Sequence, residues 1–380
     1  MSLLDAQVLI DEARRSTGLE DFIEDGFREG FEALVETYNR LDITDIGKIY
    51  LPSRLGGQLA TRLKIAEAWR RHPEIFDRDL GSPLYVVGLW RSGTSSLLNR
   101  LAVDPRNRPL LFWEGFHPDP PSEEPDLRRE RLKERTEMGR TPEFDAIHYI
   151  DVDIPEECVM LLMHTFRDQR HGVEPVLEPY ARWFDRRDFG TAYDYYLDML
   201  RTLDWQRPPP ADGRWLLKAP AHLWALEELV ARVPRARFVW THRDPVEVVA
   251  SYCSLVTTVA ATRYAVFDKP EIGPRLLDYV ARCIETATAA RDRLGDAFHV
   301  VDIDYRDEVA DPFAVCERVY AAHGPDLDGP AADAFRDHAA AHPQHEHGRH
   351  TYSLGDYGLA AEQVRERFST YIERFLPEPC

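Results

Sequence analysis

The stretch VVGLWRSGTSSLLNRL, from Val86 to Leu101, decides the fold. It begins as an apolar run, passes through a turn that contains Gly88 and Gly93, and ends in a helical pattern of leucines. A helix that starts directly after a strand presents free backbone N–H groups and the positive end of its dipole, and both attract an anion. The segment therefore predicts a phosphate-binding loop. An ordinary strand–helix turn with a serine or threonine N-cap is the simpler alternative.

Short apolar runs that lead into polar turns and helical patterns recur further along the chain. Runs without polar alternation are typical of strands buried on both faces, and their alternation with helices predicts a parallel sheet. The predicted strands are Leu84–Leu89, Trp215–Leu217, Arg237–Thr241 and Phe298–Ile303. We therefore predict an α/β fold with a P-loop-like parallel sheet flanked by helices. Its polar turns should meet beyond the carboxyl ends of the strands, where such sheets bind ligands.

The remaining segments frame this sheet. Residues 1–80 are predicted to form a helical N-terminal cap on an α/β domain of residues 81–380, and Leu19–Leu41 has apolar residues at helical spacing. The segment Pro118–Glu143 is rich in proline and charge, which is typical of a mobile lid or an exposed helix. The pattern of Glu362–Phe375 predicts one amphipathic helix that packs on the core.

Composition excludes several classes of protein. The formal net charge is −19 for 380 residues, which disfavours a nucleic-acid partner on electrostatic grounds. No apolar stretch approaches the ~20 residues of a membrane span. Acidic residues interrupt the N-terminal segment, which therefore does not resemble a signal peptide. The five cysteines form no CxxC pair, so we expect neither a metal site nor a disulfide framework, and a cytoplasmic location fits best.

The glycines of the loop have the spacing of a Walker A motif, but Thr94 occupies the position of its lysine. The missing lysine counts against a kinase or an NTPase and favours a phosphate loop of another type. The small residues let a phosphate approach the backbone, and the hydroxyls and the arginine add donors. The candidate ligands in this loop are Arg91, Ser92, Gly93, Thr94, Ser95 and Ser96.

A second candidate anion site lies in ARFVWTHRDPVEVVASYCSL, residues 236–255. Arg243 follows a predicted strand, and Ser251 lies eight residues later inside the next predicted helix. A guanidinium gives two parallel charged hydrogen bonds to a phosphate, and a hydroxyl within the helix can reach the same group. A surface pair of Arg243 with Asp244, beside an ordinary helix serine, is the alternative.

With both motifs in order, the chain resembles the sulfotransferases that use 3′-phosphoadenosine 5′-phosphosulfate (PAPS). RSGTSS after a strand is similar to their 5′-phosphosulfate loop, and an arginine followed eight residues later by a serine is similar to their 3′-phosphate pair. LLKAPAHL, IPEECVMLL, DYRDEVADP and HGRHTYSLGDYGL resemble the broad bacterial branch of the family. The resemblance covers roughly residues 83–375, and the motif layout is also similar to that of protein-tyrosine sulfotransferases.

The resemblance implies transfer of a sulfuryl group from PAPS to a hydroxyl or amine of a small-molecule, glycan or peptide acceptor, without a metal. Arg91 would contact the leaving 5′-phosphate, and Lys218, in WLLKAP, would bridge the donor and the leaving group. Tyr305 and His350 would contact the adenosine or the 3′-phosphate. The lysine is notable because only five of the 47 basic residues are lysines.

The resemblance assigns the general base to Glu114, in LLFWEGFHP, because tyrosine sulfotransferases have a catalytic glutamate at this position. Small-molecule sulfotransferases use a histidine instead, which leaves His117, His148 and His222 as alternatives. Five further histidines between residues 338 and 350 suggest a metal site, but they show no HExxH spacing and no cysteine partner.

Two other functions stay open at this point. A P-loop kinase or NTPase would bind Mg-ATP, and a catalytically silent nucleotide-binding protein would keep the loop without a base.

Overall fold

The computed structural model describes residues 3–138, 151–167, 173–186, 188–265, 268–341 and 353–376. Within these ranges the strands are β1 (Leu84–Gly88), β2 (Asn107–Pro109), β3 (Arg214–Lys218), β4 (Arg237–His242) and β5 (Val300–Asp304). All pair in parallel, in the order β2-β3-β1-β4-β5. The predicted α/β fold with a parallel sheet is confirmed. The four predicted strands agree with β1, β3, β4 and β5 within two residues at each end.

Helices flank the sheet and precede it. The α-helices are α1 (Ala6–Thr17), α2 (Arg28–Asn39), α3 (Asp45–Arg71), α4 (Thr94–Leu101), α5 (Phe112–Phe116), α6 (Arg128–Met138), α7 (Val159–Leu162), α8 (Tyr180–Phe184), α9 (Gly190–Gln206), α10 (Leu226–Arg232), α11 (Pro245–Ala261), α12 (Lys269–Leu294), α13 (Tyr305–Ala310), α14 (Pro312–His323), α15 (Gly329–Ala341), α16 (Ala361–Arg367) and α17 (Ser369–Phe375). Short 3₁₀ helices cover Pro73–Asp77, Met163–Thr165, Glu174–Val176, Pro220–Trp224, Gly295–Ala297 and Leu354–Tyr357.

The strand register brings the predicted polar turns to one edge of the sheet. Val86 lies beside Lys218, Gly88 beside Thr241, and His242 beside Asp304. The loops after β3, β1, β4 and β5 therefore start side by side along one edge, each about 4.8 Å from the next, because that is the spacing of neighbouring strands. We call this the carboxyl edge.

The two faces of the sheet bury two separate cores. Side chains alternate along each strand, so Leu84 and Val86 of β1 pack in one cluster with α4, α14 and α15. Tyr85 and Val87 face the other way, into a larger cluster. This larger cluster includes residues of α1, α2 and α3, such as the fully buried Phe31. The N-terminal helices thus share one core with the sheet, and the domain division at residue 80 stays a prediction.

The expected helix Leu19–Leu41 is wrong in its first half, because α2 begins only at Arg28. Two acidic side chains hold turns there instead: Asp21 accepts the Ile23 N–H at 2.7 Å, and Glu24 accepts the Gly26 N–H at 2.6 Å. Such side-chain bonds compete with the helical backbone bonds.

The two other framing segments are also more broken than expected. The predicted helix Glu362–Phe375 is two helices, α16 and α17, which are separated at Phe368. Phe375 stacks on His242 of β4 with a centroid distance of 4.4 Å, so this end packs on the sheet as predicted. In Pro118–Glu143 the structure places the largely exposed helix α6, and residues beyond 138 lie outside the described ranges.

Candidate active site

The loop Leu89–Gly93, which we call the phosphate loop, joins β1 to α4 at the carboxyl edge. Gly93 has φ +93°, and a Cβ there would lie 2.5 Å from Glu308 Oε2 and 2.8 Å from the Tyr305 ring. Only glycine fits this combination of left-handed backbone and close neighbours. The loop is thus held against α13, and the N-terminus of α4 opens beside it.

The predicted phosphate ligands of the loop divide into two groups. Ser92 is fully buried, and its hydroxyl donates to the Leu89 carbonyl at 2.6 Å and lies 2.8 Å from Thr241 Oγ1. Thr94 is buried as well, whereas Arg91, Ser95 and Ser96 are exposed at the start of α4. The exposed side chains are therefore the ones placed to meet a ligand, and the Ser92 hydroxyl holds the loop on β4.

Both predicted anion motifs meet at this edge. Arg91 Nε donates to Ser251 Oγ at 3.1 Å, and Arg243 Nη1 donates to the Arg91 carbonyl at 2.7 Å. The Arg243 guanidinium also lies 4.3 Å from the centre of the Tyr305 ring, within the range of a cation–π contact. Four residues from the segments that follow β1, β4 and β5 thus form one cluster, although they are separated by up to 214 residues in sequence.

Lys218 lies on the other side of the phosphate loop. Its Nζ donates to Ser95 Oγ at 2.9 Å and to Glu157 Oε1 at 2.5 Å, and its side chain is 2% exposed. The Cys158 N–H donates to the Lys218 carbonyl at 2.8 Å, so the chain before α7 is fixed to the end of β3. A buried ammonium is therefore placed between the first turn of α4 and a buried carboxylate.

A second buried carboxylate, Glu308, touches the loop from α13. Arg100 Nη1 donates to its Oε1 at 3.3 Å, and its Oε2 has no hydrogen-bond partner in the described structure. Burial raises the pKa of Glu308 to about 7, and the charge of Arg100 opposes this rise only in part. The carboxyl group therefore titrates near neutrality, in contact with Gly93.

Glu114, the predicted base, is buried in α5 and has three hydrogen-bond donors. Its Oε1 accepts from Arg108 at 2.9 Å and from Arg207 at 2.8 Å, and its Oε2 accepts from the Leu111 N–H at 3.0 Å. Arg108 itself lies 3.8 Å from the ring of Trp215, at the start of β3. The structure thus joins Glu114 to arginines on the β2 side of the sheet, and its role as a base stays a prediction.

The histidines proposed as alternatives lie in different surroundings. His222 is fully buried against Tyr85, Tyr193 and Tyr196, and burial lowers its pKa to about 3. His117 ends α5 and is partly exposed. His148 and His350 lie outside the described residues, as do most of the clustered C-terminal histidines.

Two carboxylates at this edge, Glu157 and Glu308, are not among the site residues predicted from the sequence. Glu157 stands in the apolar run IPEECVMLL, and a charged residue in such a run signals a buried group with a partner. Glu308 follows Tyr305 by three residues on one helix, a spacing that puts both on the same face. Both patterns are visible in the sequence, but neither identifies the residue that the carboxylate contacts.

Two findings bear on metals and membranes. In the described ranges no group of three His, Cys, Asp or Glu side chains could hold a metal ion. Among the helices described, none is long and apolar enough to cross a membrane.

Comparisons with known proteins agree with this geometry. The model of the Sulfotransferase family matches residues 83–329, about two thirds of the chain. The crystal structure of sulfotransferase STF1 from Mycobacterium tuberculosis H37Rv is 30% identical, with a TM-score of 0.83 over 97% of this chain and 99% of that one. Sulfotransferase STF9 from Mycobacterium avium is 28% identical, with a TM-score of 0.87 over 98% and 97%. No curated protein sequence matches the chain. The chain therefore belongs to the sulfotransferase family, and it is an enzyme that transfers a sulfuryl group to an acceptor substrate.

Proposed function

We propose that this sulfotransferase takes the sulfuryl group from PAPS and transfers it in line to a hydroxyl or amine of its acceptor. One observation carries the proposal: the contacts of Arg91 with Ser251 and Arg243 join the two anion motifs in one cluster. A donor with phosphates at both ends of its ribose needs two such cationic groups a short distance apart.

The proposal assigns the phosphosulfate to the N-terminus of α4. The free N–H groups of the first turn, the exposed Ser95 and Ser96 hydroxyls, and the charges of Arg91 and Lys218 would surround it. Ser92 and Gly93 of the phosphate loop and Thr94 at the start of α4 contribute through their backbone, since the hydroxyl side chains of Ser92 and Thr94 are buried.

The 3′-phosphate is assigned to Arg243 and Ser251. Arg243 donates its Nε and Nη2 hydrogens to the carboxylate of the exposed Glu247, at 2.9 and 2.5 Å. Exposed ion pairs stabilise a protein by at most about 1 kcal/mol. A bound phosphate can therefore replace Glu247 at little cost. Tyr305 and His350 complete the predicted donor contacts, Tyr305 through the ring that already packs on Arg243.

No metal is required for this chemistry, because arginine and lysine supply the positive charge at the leaving group. The acceptor would be a small molecule, glycan or peptide, and the net charge of −19 disfavours nucleic acid. A cytoplasmic location is part of the proposal and is supported by four buried cysteines that are all free thiols.

Ligand-induced stabilisation tests the donor. Thermal unfolding is measured with 3′-phosphoadenosine 5′-phosphate, with Mg-ATP and with buffer alone, because a ligand that binds only the folded state raises the midpoint. We expect stabilisation by the bisphosphate and none by Mg-ATP. Stabilisation by Mg-ATP alone would reject PAPS as donor. Transfer of labelled sulfate from PAPS to a panel of phenols, sterols, sugars and peptides then identifies the acceptor.

A further inference from the structure

The geometry points to Tyr371, in the C-terminal helix α17, as the residue that positions Arg243 for the 3′-phosphate of the donor. The inference rests on the proposed function, which assigns that phosphate to Arg243 and Ser251. It is carried by the hydrogen bonds that lead from the backbone N–H of Arg243 through the Tyr371 hydroxyl to His242. Tyr371 is thus a positioning residue, which acts on the donor through Arg243.

The Tyr371 hydroxyl lies where β4 ends. The residue is 5% exposed, and its Oη lies 3.0 Å from His242 Nδ1. Burial raises the pKa of Tyr371, and a hydrogen bond from the backbone N–H of Arg243 to the same oxygen opposes this rise. A backbone N–H that leaves a sheet needs a new acceptor. The C-terminal helix supplies this acceptor to the residue that directly follows the strand.

The directions of these hydrogen bonds follow from the partners of His242. Its Nε2 lies 2.9 Å from Asp302 Oδ1, and a carboxylate can only accept, so Nε2 carries a hydrogen. Burial lowers the pKa of His242, which keeps the ring neutral near pH 7 and makes Nδ1 an acceptor. Nδ1 therefore accepts the O–H of Tyr371, whose oxygen in turn accepts the N–H of Arg243.

A charged pair fixes the other end of this hydrogen-bond chain. Arg291 of α12 donates to both oxygens of Asp302, at 2.6 and 2.8 Å. Burial opposes the charged form, but hydrogen bonds from Arg291 and His242 hold the pKa of the Asp302 carboxyl well below its usual range. The His242 ring also stacks on Phe375, with centroids 4.4 Å apart and 8° between the planes. The Tyr371 hydroxyl therefore meets an acceptor that is itself held in place.

The position of the Arg243 backbone matters because its guanidinium has to meet a phosphate in a defined direction. Nη1 donates to the Arg91 carbonyl at 2.7 Å, and the guanidinium lies 4.3 Å from the centre of the Tyr305 ring. These contacts leave Nε and Nη2 for the phosphate once it displaces Glu247. Two parallel hydrogen bonds depend on direction as well as distance, so a shift of the backbone weakens both.

The alternative is that Tyr371 only anchors α17 on the core. Its ring lies 5.7 Å from the ring of His242 and 5.3 Å from that of Phe375, and a phenylalanine would keep both contacts. The hydroxyl, in contrast, contacts the end of β4. Tyr371→Phe therefore removes the proposed interaction and leaves the packing in place, so the two roles can be separated by experiment.

The test measures by calorimetry how wild type and Tyr371→Phe bind 3′-phosphoadenosine 5′-phosphate and adenosine 5′-phosphate, which lacks the 3′-phosphate. We expect the variant to bind the bisphosphate about 3–10-fold more weakly, the effect of about one hydrogen bond, and the monophosphate within about twofold of wild type. Tyr357→Phe is the matched control, because it removes a buried hydroxyl that lies 3.0 Å from Thr257 Oγ1. This control should bind both nucleotides as wild type does.

A double-mutant cycle with Arg243→Ala distinguishes positioning from a general effect on the site. In the Arg243→Ala background, Tyr371→Phe should change the affinity for the bisphosphate by less than about twofold, because the side chain that it positions is absent. A residue that only stabilised the fold would give its full loss in both backgrounds. With the acceptor found in the panel, Tyr371→Phe should raise the KM for PAPS and leave kcat at saturating donor within about twofold of wild type.

The assignment is wrong if Tyr371→Phe binds the bisphosphate within about twofold of wild type, if it loses equal affinity for both nucleotides, or if its loss persists in Arg243→Ala. A wild-type protein that does not bind the bisphosphate would instead overturn the proposed donor. Unchanged affinity in Arg243→Ala would overturn the assignment of the 3′-phosphate to Arg243. Failure of the inference and failure of the proposed function are therefore distinguishable.

Discussion

Arg243 connects three segments of the site. It donates to the Arg91 carbonyl in the phosphate loop, packs on Tyr305 of α13, and pairs with Glu247 of α11. A guanidinium can do this because its donors are planar and fixed in direction and its flat face stacks on an aromatic ring, whereas a lysine ammonium is a compact point charge.

Replacing Arg243 by alanine should therefore weaken the binding of 3′-phosphoadenosine 5′-phosphate by about 2–5 kcal/mol. Calorimetric titration measures the change. Arg235→Ala is a suitable control, because Arg235 forms an exposed pair with Asp79 at the opposite end of β4. Equal affinities for both variants would remove Arg243 from the donor site.

The Glu308 carboxyl should make the free energy of unfolding depend on pH. Burial raises the pKa of this carboxyl from 4.5 to about 7 in the folded protein. Between these values the unfolded chain has released the proton that the folded protein retains, so folding stability falls as pH rises from about 4.5 to 7. Glu308→Gln removes this loss.

Urea unfolding at several pH values measures the effect. The stability of Glu308→Gln relative to wild type should improve by about 1–3 kcal/mol between pH 4.5 and pH 7.5. Only the change with pH matters, since the substitution also removes the contact with Arg100 at every pH. Parallel pH curves for the two proteins would show that Glu308 does not titrate in this window.

Among the elements, the junction of β1 and α4 tolerates little change at Gly93. Gly93→Ala should lose about 1–2 kcal/mol to left-handed backbone and about 1–3 kcal/mol more to the contacts with Glu308 and Tyr305. Gly81→Ala is the matched control, because Gly81 also has a positive φ of +69° but nothing within 4 Å of its Cβ position. Thermal unfolding should rank the two variants, and nucleotide binding should weaken in Gly93→Ala only.

The elements also show how far the sequence determines the result. Strands β1, β3, β4 and β5 are predictable because each is rich in apolar residues and has a polar turn after it, although Asp302 interrupts the apolar run of β5. Strand β2 cannot be predicted in this way, because Asn107–Pro109 lacks an apolar run and its conformation depends on pairing with β3. The break at Phe368 is equally hidden, since apolar residues keep their helical spacing across it.

The site is predictable in the same uneven way. Arg91, Arg243 and Ser251 belong to local motifs, and the parallel sheet brings those motifs together. Glu157 lies in IPEECVMLL, a segment that resembles the family, but that segment does not reveal the contact of Glu157 with Lys218, 61 residues away. Contacts between distant segments depend on the fold as a whole, and a single sequence does not display them.

At the scale of the whole molecule, the shared core predicts cooperative unfolding. Phe31 of α2 is fully buried and lies 5.0 Å from the ring of Phe166, in the cluster that also contains Trp215 of the sheet. Phe31→Ala should cost about 3–5 kcal/mol and shift the entire transition. Ile49→Ala is the control, since Ile49 in α3 is 77% exposed.

Urea unfolding followed by circular dichroism and by tryptophan fluorescence tests this expectation. Coincident single transitions would indicate that the cap and the sheet unfold together. An early transition in Phe31→Ala that leaves the sheet folded would instead support a cap that folds separately from residues 81–380.

The two edge strands of the sheet, β2 and β5, affect how the protein behaves in concentrated solution. One outer strand, β2, is three residues long and finishes with Pro109, which has no N–H to offer a neighbour. On the opposite outer strand, Arg318 donates to the Asp302 carbonyl at 2.9 Å and so occupies an otherwise open acceptor. In the part of the chain that the structure describes, both edge strands are thus short, and each has a feature that hinders the addition of an extra strand. The sheet should therefore resist amyloid-like growth for as long as it stays folded.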